Sequence, residues 1–154
     1  MIDVEYLPGK VGVQMKYDND YVLCECELEP LQDLVAGLEK RCSVTMIKQP
    51  SVCLTMVRAE DSLEKQEFYL GEALTTECEV SVDGLPGYGV CLGEEPVRSY
   101  CLAVVDALIH TGNGGMPEIK DFVEKHRKVI ADRETEEYNL VLRTQVDFKF
   151  MEQE

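Results

Sequence analysis

"KQEFYLGEALTTECEVSVDG", residues 65–84, decides the fold of this chain. From Leu74 onward its side chains fall into two alternating sets. Leu74, Thr76, Cys78, Val80 and Val82 form one, and Thr75, Glu77, Glu79, Ser81 and Asp83 the other. A period of two is the pleat of a β-strand, so the first set faces a core and the second faces water. Gly71 interrupts the run just after Phe68 and Leu70, where a bulge or bend is expected.

Working outward, "YGVCL" at 88–92 reads as the next strand. Pro96 then opens a helix through His110 that is apolar almost all round, at Val97, Cys101, Leu102, Val104, Val105, Leu108 and Ile109. Such a helix is either central or pressed against a partner. "TGNGGMP" at 111–117 closes it and leads into a second helix, whose apolar face holds Ile119, Phe122, Val123, His126, Val129 and Ile130. "RTQVDFKFM" at 143–151 alternates again at Val146, Phe148 and Phe150. On the N-terminal side, "CSVTMIK" and "SVCLTMVRA" are β-branched and apolar on both faces. They read as two strands parted by Gln49 and Pro50, covered on at least one side and placed toward the sheet's centre. "PLQDLVAGLEK" from Pro30 spaces Leu31, Leu34, Val35 and Leu38 as one face of a short helix. "KVGVQMKY" and "YVLCECEL" suit a hairpin turning at Asp18, Asn19 and Asp20, with a helix as the other reading of the second stretch. Strands gathered in the middle with helices at both ends define an α+β class, a mainly antiparallel sheet with helices on one side.

The chain has 154 residues and is 45% hydrophobic, enough for one domain with its own core. Thirty acidic residues against fifteen basic ones give a net charge of -15. Such a surface repels a phosphate backbone or an anionic bilayer, which argues against nucleic acid and membrane partners. No stretch reaches the roughly 18 apolar residues of a membrane span, and the N-terminus carries no leader pattern, so a cytoplasmic protein is expected. The seven cysteines, at 24, 26, 42, 53, 78, 91 and 101, read as reduced core thiols.

Short motifs point to no chemistry. In "GLPGYGVCLGEEP", residues 84–96, Gly84, Gly87 and Gly89 precede the strand instead of following it. Only Gly93 lies between strand and helix, and Glu94 and Glu95 occupy the place of a phosphate. A dinucleotide cradle needs the reverse order, so a tight turn and a strand-to-helix turn account for these glycines. "GNGG" at 112–115 lacks the lysine and hydroxyl of a phosphate loop and reads as a helix cap. His126 sits on an apolar face, as a core histidine does, while His110 is placed to pair with Asp106 across one turn. Cys24 and Cys26 have no second pair to complete a zinc site. Glu134, Glu136 and Glu137 read as a solvated helix end. The residues themselves therefore indicate no catalytic group, no cofactor and no metal.

The order of these features is more specific than any one of them. From Pro30 onward, "MVRAE", "FYLGEALTTECEVSVDG", "GYGVCLGEEPVRSYCLAVVDAL" and "RTQVDFKFM" resemble the PhnG family, the G subunit of the carbon-phosphorus lyase core complex of phosphonate metabolism. Phe68, Gly71, Glu72, Gly93 and Asp106 match the family's pattern. The chain departs from it in having no tryptophan, in Glu94 where arginine is usual, and in Arg98 where histidine is usual. The resemblance implies a single domain over 1–154, in which 30–154 is family-like and 1–29 is a diverged hairpin or extension. It also implies a subunit that assembles with PhnH, PhnI and PhnJ and acts structurally, while the complex forms ribose 1-phosphonate 5-triphosphate from ATP and a phosphonate with release of adenine.

Thr76 and Arg98 join the matching positions as candidate motif or interface residues, along with Val146, Phe148 and Phe150 in a tail able to extend a partner's sheet. The apolar helix from Pro96 and this tail are the expected contact with the large partner subunit, the tail being equally readable as a last strand of the chain's own sheet. Two other readings stand beside this one. The first is an independent enzyme built on His126 or on Asp106 and His110, and the second is a free-standing homo-oligomeric binding module for a small molecule.

Overall fold

A computed structural model describes residues 19–61, 63–111 and 116–145. Seven elements follow one another: α1 (Asn19–Glu25), α2 (Leu28–Glu39), β1 (Val44–Glu60), β2 (Glu67–Val82), β3 (Leu85–Leu92), α3 (Pro96–Thr111) and α4 (Met116–Leu142). The strands form one antiparallel sheet in the order β1-β2-β3. This is the α+β architecture expected, with β2 at its centre.

The alternation of β2 holds where a helix covers it. Thr76, Cys78, Val80 and Val82 are buried, and their cross-strand partners on β3 are Cys91, Gly89, Gly87 and Leu85. Two residues depart from the pattern: Leu74 is 47% exposed because β3 ends opposite Thr75, and Thr75, expected to face water, is buried with its hydroxyl against Cys53 and Thr55 of β1. The hairpin between β2 and β3 turns on two residues, Asp83 and Gly84, with φ of 51° and 89°. Two successive left-handed residues match the right-handed twist of the strands they join, and Asp-Gly is suited to that conformation. Asp83 also anchors the sheet's third member. Its Oδ1 accepts the Ser43 N–H at 2.9 Å and its own N–H donates to the Ser43 carbonyl at 3.0 Å, at the entry to β1.

β1 corrects the reading of two strands near the centre. It is one strand at the sheet's edge, and none of its residues is buried. Register shifts between Met46 and Lys48 and between Lys48 and Ser51 absorb Gln49 and Pro50 without ending the pairing. An edge strand tolerates a proline because one row of its N–H groups has no ladder partner to lose. Apolar residues on both faces therefore mark something other than a strand sealed inside. A third shift, between Val57 and Arg58, leaves Leu70 of β2 unpaired beside Gly71, the bulge expected there.

The second arm of the proposed N-terminal hairpin is also corrected. Residues 19–25 are helical, and Val22, Leu23 and Cys26 lie at i, i+1 and i+4 on a buried face, a pattern that fits a helix as well as alternation fits a strand. Asp20, read as part of a turn, stands in the first turn of α1, where a negative charge suits the dipole. The other arm, "KVGVQMKY", lies outside the described residues. α2 places Leu31, Val35 and Leu38 inward as the spacing predicts. It begins two residues before Pro30, which sits in the first turn where no N–H partner is missing.

α3 lies across β2 and β3 on one face of the sheet, with α2, α1 and α4 against it. Val104 and Val105 are fully buried. The helix is central: most of its hydrophobic surface is covered inside the chain, and Val97 at its start is exposed. α4 continues beyond the acidic run Glu134–Glu137, its buried residues Ile119, Val123, His126 and Ile130 spaced along the first half.

Candidate interaction surface

The glycines of 84–93 have their function here. A Cβ built on Gly87 would stand 2.2 Å from the Ala103 carbonyl oxygen, and one on Gly89 would stand 1.9 Å from that of Ser99. Backbone therefore meets backbone where α3 crosses β3, and these two positions exclude any side chain. They serve helix-to-strand contact, with no ligand needed to explain them.

Several residues singled out from the sequence hold the same junction together. The Thr76 hydroxyl donates to the Gly93 carbonyl at 2.6 Å and accepts the Glu95 N–H at 3.0 Å. One buried side chain thus ties β2 to the turn that opens α3, where Gly93 has a φ of 82°. The Asp106 carboxylate reaches back to accept the Tyr88 N–H of β3 at 2.9 Å. Arg98, in the place where histidine is usual, donates through one Nη to the carbonyls of Leu23 at 3.1 Å and Cys26 at 2.9 Å. Its cation closes the C-terminal end of α1, where carbonyls lack intrahelical partners and the dipole is negative. Thr76, Gly93, Arg98 and Asp106 are thus fastenings of the fold.

The histidine and thiol candidates also belong to the interior. His126 is buried against Phe122, with ring centroids 4.2 Å apart and planes tilted by 30°. Burial, with a smaller effect from Lys125, holds its imidazole below the ordinary value, so the ring is neutral at physiological pH. His110 falls in the last turn of α3. All seven cysteines are free thiols. Burial pushes those of Cys24 and Cys101 up to about 11, which keeps them protonated and unreactive. Cys24 and Cys26 lie on and just after α1, not together on a strand face. Among the described residues no cluster of three or more His, Cys, Asp or Glu side chains is arranged to hold a metal.

Phe68, Gly71 and Glu72 lie elsewhere. β3 pairs with β2 only from Thr75 to Val82, so beyond that point β1 and β2 continue as a two-stranded arm. Along it, Leu54 is 63% exposed, Met56 55% and Leu70 69%, and Phe68 is half-exposed. The arm carries the largest concentration of uncovered apolar side chains in the described chain. The sequence held a signal for it: "VCLTMV" is apolar on both faces, although β2 shows a sheet with only one dry side. A smaller exposed stripe, Tyr138, Val141 and Leu142, ends α4. Val146, Phe148 and Phe150 lie outside the described residues. Of the apolar residues on α3, the helix expected to make the contact, most are buried and Val97 at its start is 41% exposed.

A family model described as phosphonate metabolism protein PhnG matches residues 19–153, so the match takes in α1 as well as the region from Pro30. No curated protein sequence matches the chain.

Proposed function

The chain belongs to the PhnG family of phosphonate metabolism proteins, and from that premise we propose that it is the G subunit of a carbon-phosphorus lyase core complex, assembling with PhnH, PhnI and PhnJ. In this reading it serves the formation of ribose 1-phosphonate 5-triphosphate from ATP and a phosphonate, with release of adenine, as a structural chain beside catalytic ones. The observation that carries the proposal is the family match over all the described residues, from α1 to the end of α4.

Physical features support a structural role. Arg98, Asp106 and Thr76 are engaged in tying elements together, and His126 is neutral and stacked in the core. The uncovered apolar arm is the kind of surface that marks a protein interface. Co-expression with the H, I and J subunits, affinity purification and native mass measurement test the proposal. Recovery of a stoichiometric assembly containing this chain is the expected result. A chain that elutes alone while the other three assemble would overturn it.

A further inference from the structure

The arm of β1 and β2 is unusual in how its charges are distributed. It has three strand carboxylates, and two are matched within the arm: Glu67 accepts from Arg58 at 2.8 Å, and Glu60 lies 3.5 Å from Lys65. Glu72 has no cation among the described residues. It pairs across the strands with Met56, beside the pair of Leu54 with Leu74. Strand alternation therefore sets this carboxylate among Met56, Leu54 and Leu74, which are 55%, 63% and 47% exposed, while Arg58, the next residue of β1 on that face, is held by Glu67. The opposite face is apolar too, with Val57 and Phe68 both exposed by 40% or more. A two-stranded ribbon has little independent stability in water, so one that is apolar on both faces is completed by what encloses it.

We infer that this arm is a blade that enters a cleft on a partner protein, and that a lysine or arginine of that cleft meets the Glu72 carboxylate. The inference rests on the proposed role as an assembly subunit and names the surface and the partner's chemistry. Both faces need covering, which calls for a cleft and not a flat patch. Once covered, a lone carboxylate among apolar side chains is strongly unfavourable unless a cation and hydrogen bonds meet it. A basic cleft also suits the chain as a whole, whose net charge of -15 steers it toward positive surfaces.

Leu54→Asp and Glu72→Gln change exposed side chains, so circular dichroism and the melting temperature of the free chain should match wild type. Each is co-expressed with the H, I and J subunits, and affinity for the assembly is measured at two salt concentrations. Leu54→Asp should abolish capture. Glu72→Gln should weaken it by roughly tenfold or more and flatten its salt dependence, because a buried cation is left unmatched. Amide exchange in residues 52–60 and 67–74 should slow on assembly of the wild-type chain. Capture of wild type with unchanged affinity for both variants would overturn the blade while leaving the subunit role standing. A wild-type chain that never joins the assembly would overturn both. Self-association lost in Leu54→Asp, with assembly unchanged, would assign the arm to a second copy and also overturn the inference.

Discussion

Gly87 and Gly89 carry the tightest constraint among the described glycines, because the atoms a Cβ would meet are backbone atoms and the Ala107 Cβ, none of which has a rotamer to change. Gly87→Ala or Gly89→Ala must lift α3 from β3, and each should destabilise the chain by about 3 kcal/mol, the upper range for overpacking. Gly37 provides the contrast: its site is open space on the exposed face of α2. There alanine should stabilise by about 0.8 kcal/mol through helix propensity. Urea unfolding of the three variants checks both signs. His126 makes a prediction in pH. Its folded-state value lies below the ordinary 6.5 because burial disfavours the cation. Between the two values the unfolded chain binds more protons than the folded one, so stability rises with pH there. The contribution is complete above pH 6.5 and is lost as the pH falls from there through the folded-state value. His126→Phe keeps a ring against Phe122 and removes the titration. It should therefore lose less stability than wild type between pH 7.5 and 5.0 in the same unfolding measurement.

Among the elements, the sequence made legible whatever a single periodicity could determine. β2 from Thr76 to Val82, the inward face of α2 and the start of α3 at Pro96 are as the spacing indicates. The misread elements are those in which two periods fit the same residues. Val22, Leu23 and Cys26 satisfy a helix, while Val22, Cys24 and Cys26 satisfy a strand, and only packing against the core decides between them. β1 was hidden for another reason: apolar side chains on both faces look the same whether a protein's own layers cover them or another molecule does. The glycines of 84–93 drew attention as a loop motif because steric need and ligand cradling both select the smallest residue. Their distinction lies in what stands opposite, and that is tertiary information. The fastenings made by Thr76, Arg98 and Asp106 span 17 to 75 residues of chain, beyond the reach of any local pattern.

For the molecule as a whole, the excess of negative charge outweighs its exposed ion pairs. Arg133 with Glu25, and Arg58 with Glu67, are each about half exposed and contribute at most about 1 kcal/mol apiece. A net charge of -15 opposes the compact state throughout. Raising sodium chloride from 10 to 200 mM should therefore raise the melting temperature by about 3 °C, the equivalent of roughly 1 kcal/mol at this size. A fall would mean that the ion pairs dominate. The two edges of the sheet have different fates. β3 is blunted, since Pro86 has no N–H to offer and Asp106 occupies that of Tyr88. Along the arm, among the described residues, β1 and residues 67–74 of β2 are both open edges, because β3 stops opposite Thr75. A sheet with two open edges can recruit strands without limit, as in a fibril, whereas one with a single open edge is saturated by its first neighbour. The arm is of the first kind among the described residues, so a union of two free copies through β1 leaves an open β2 edge on each, and enclosing the arm removes both edges at once.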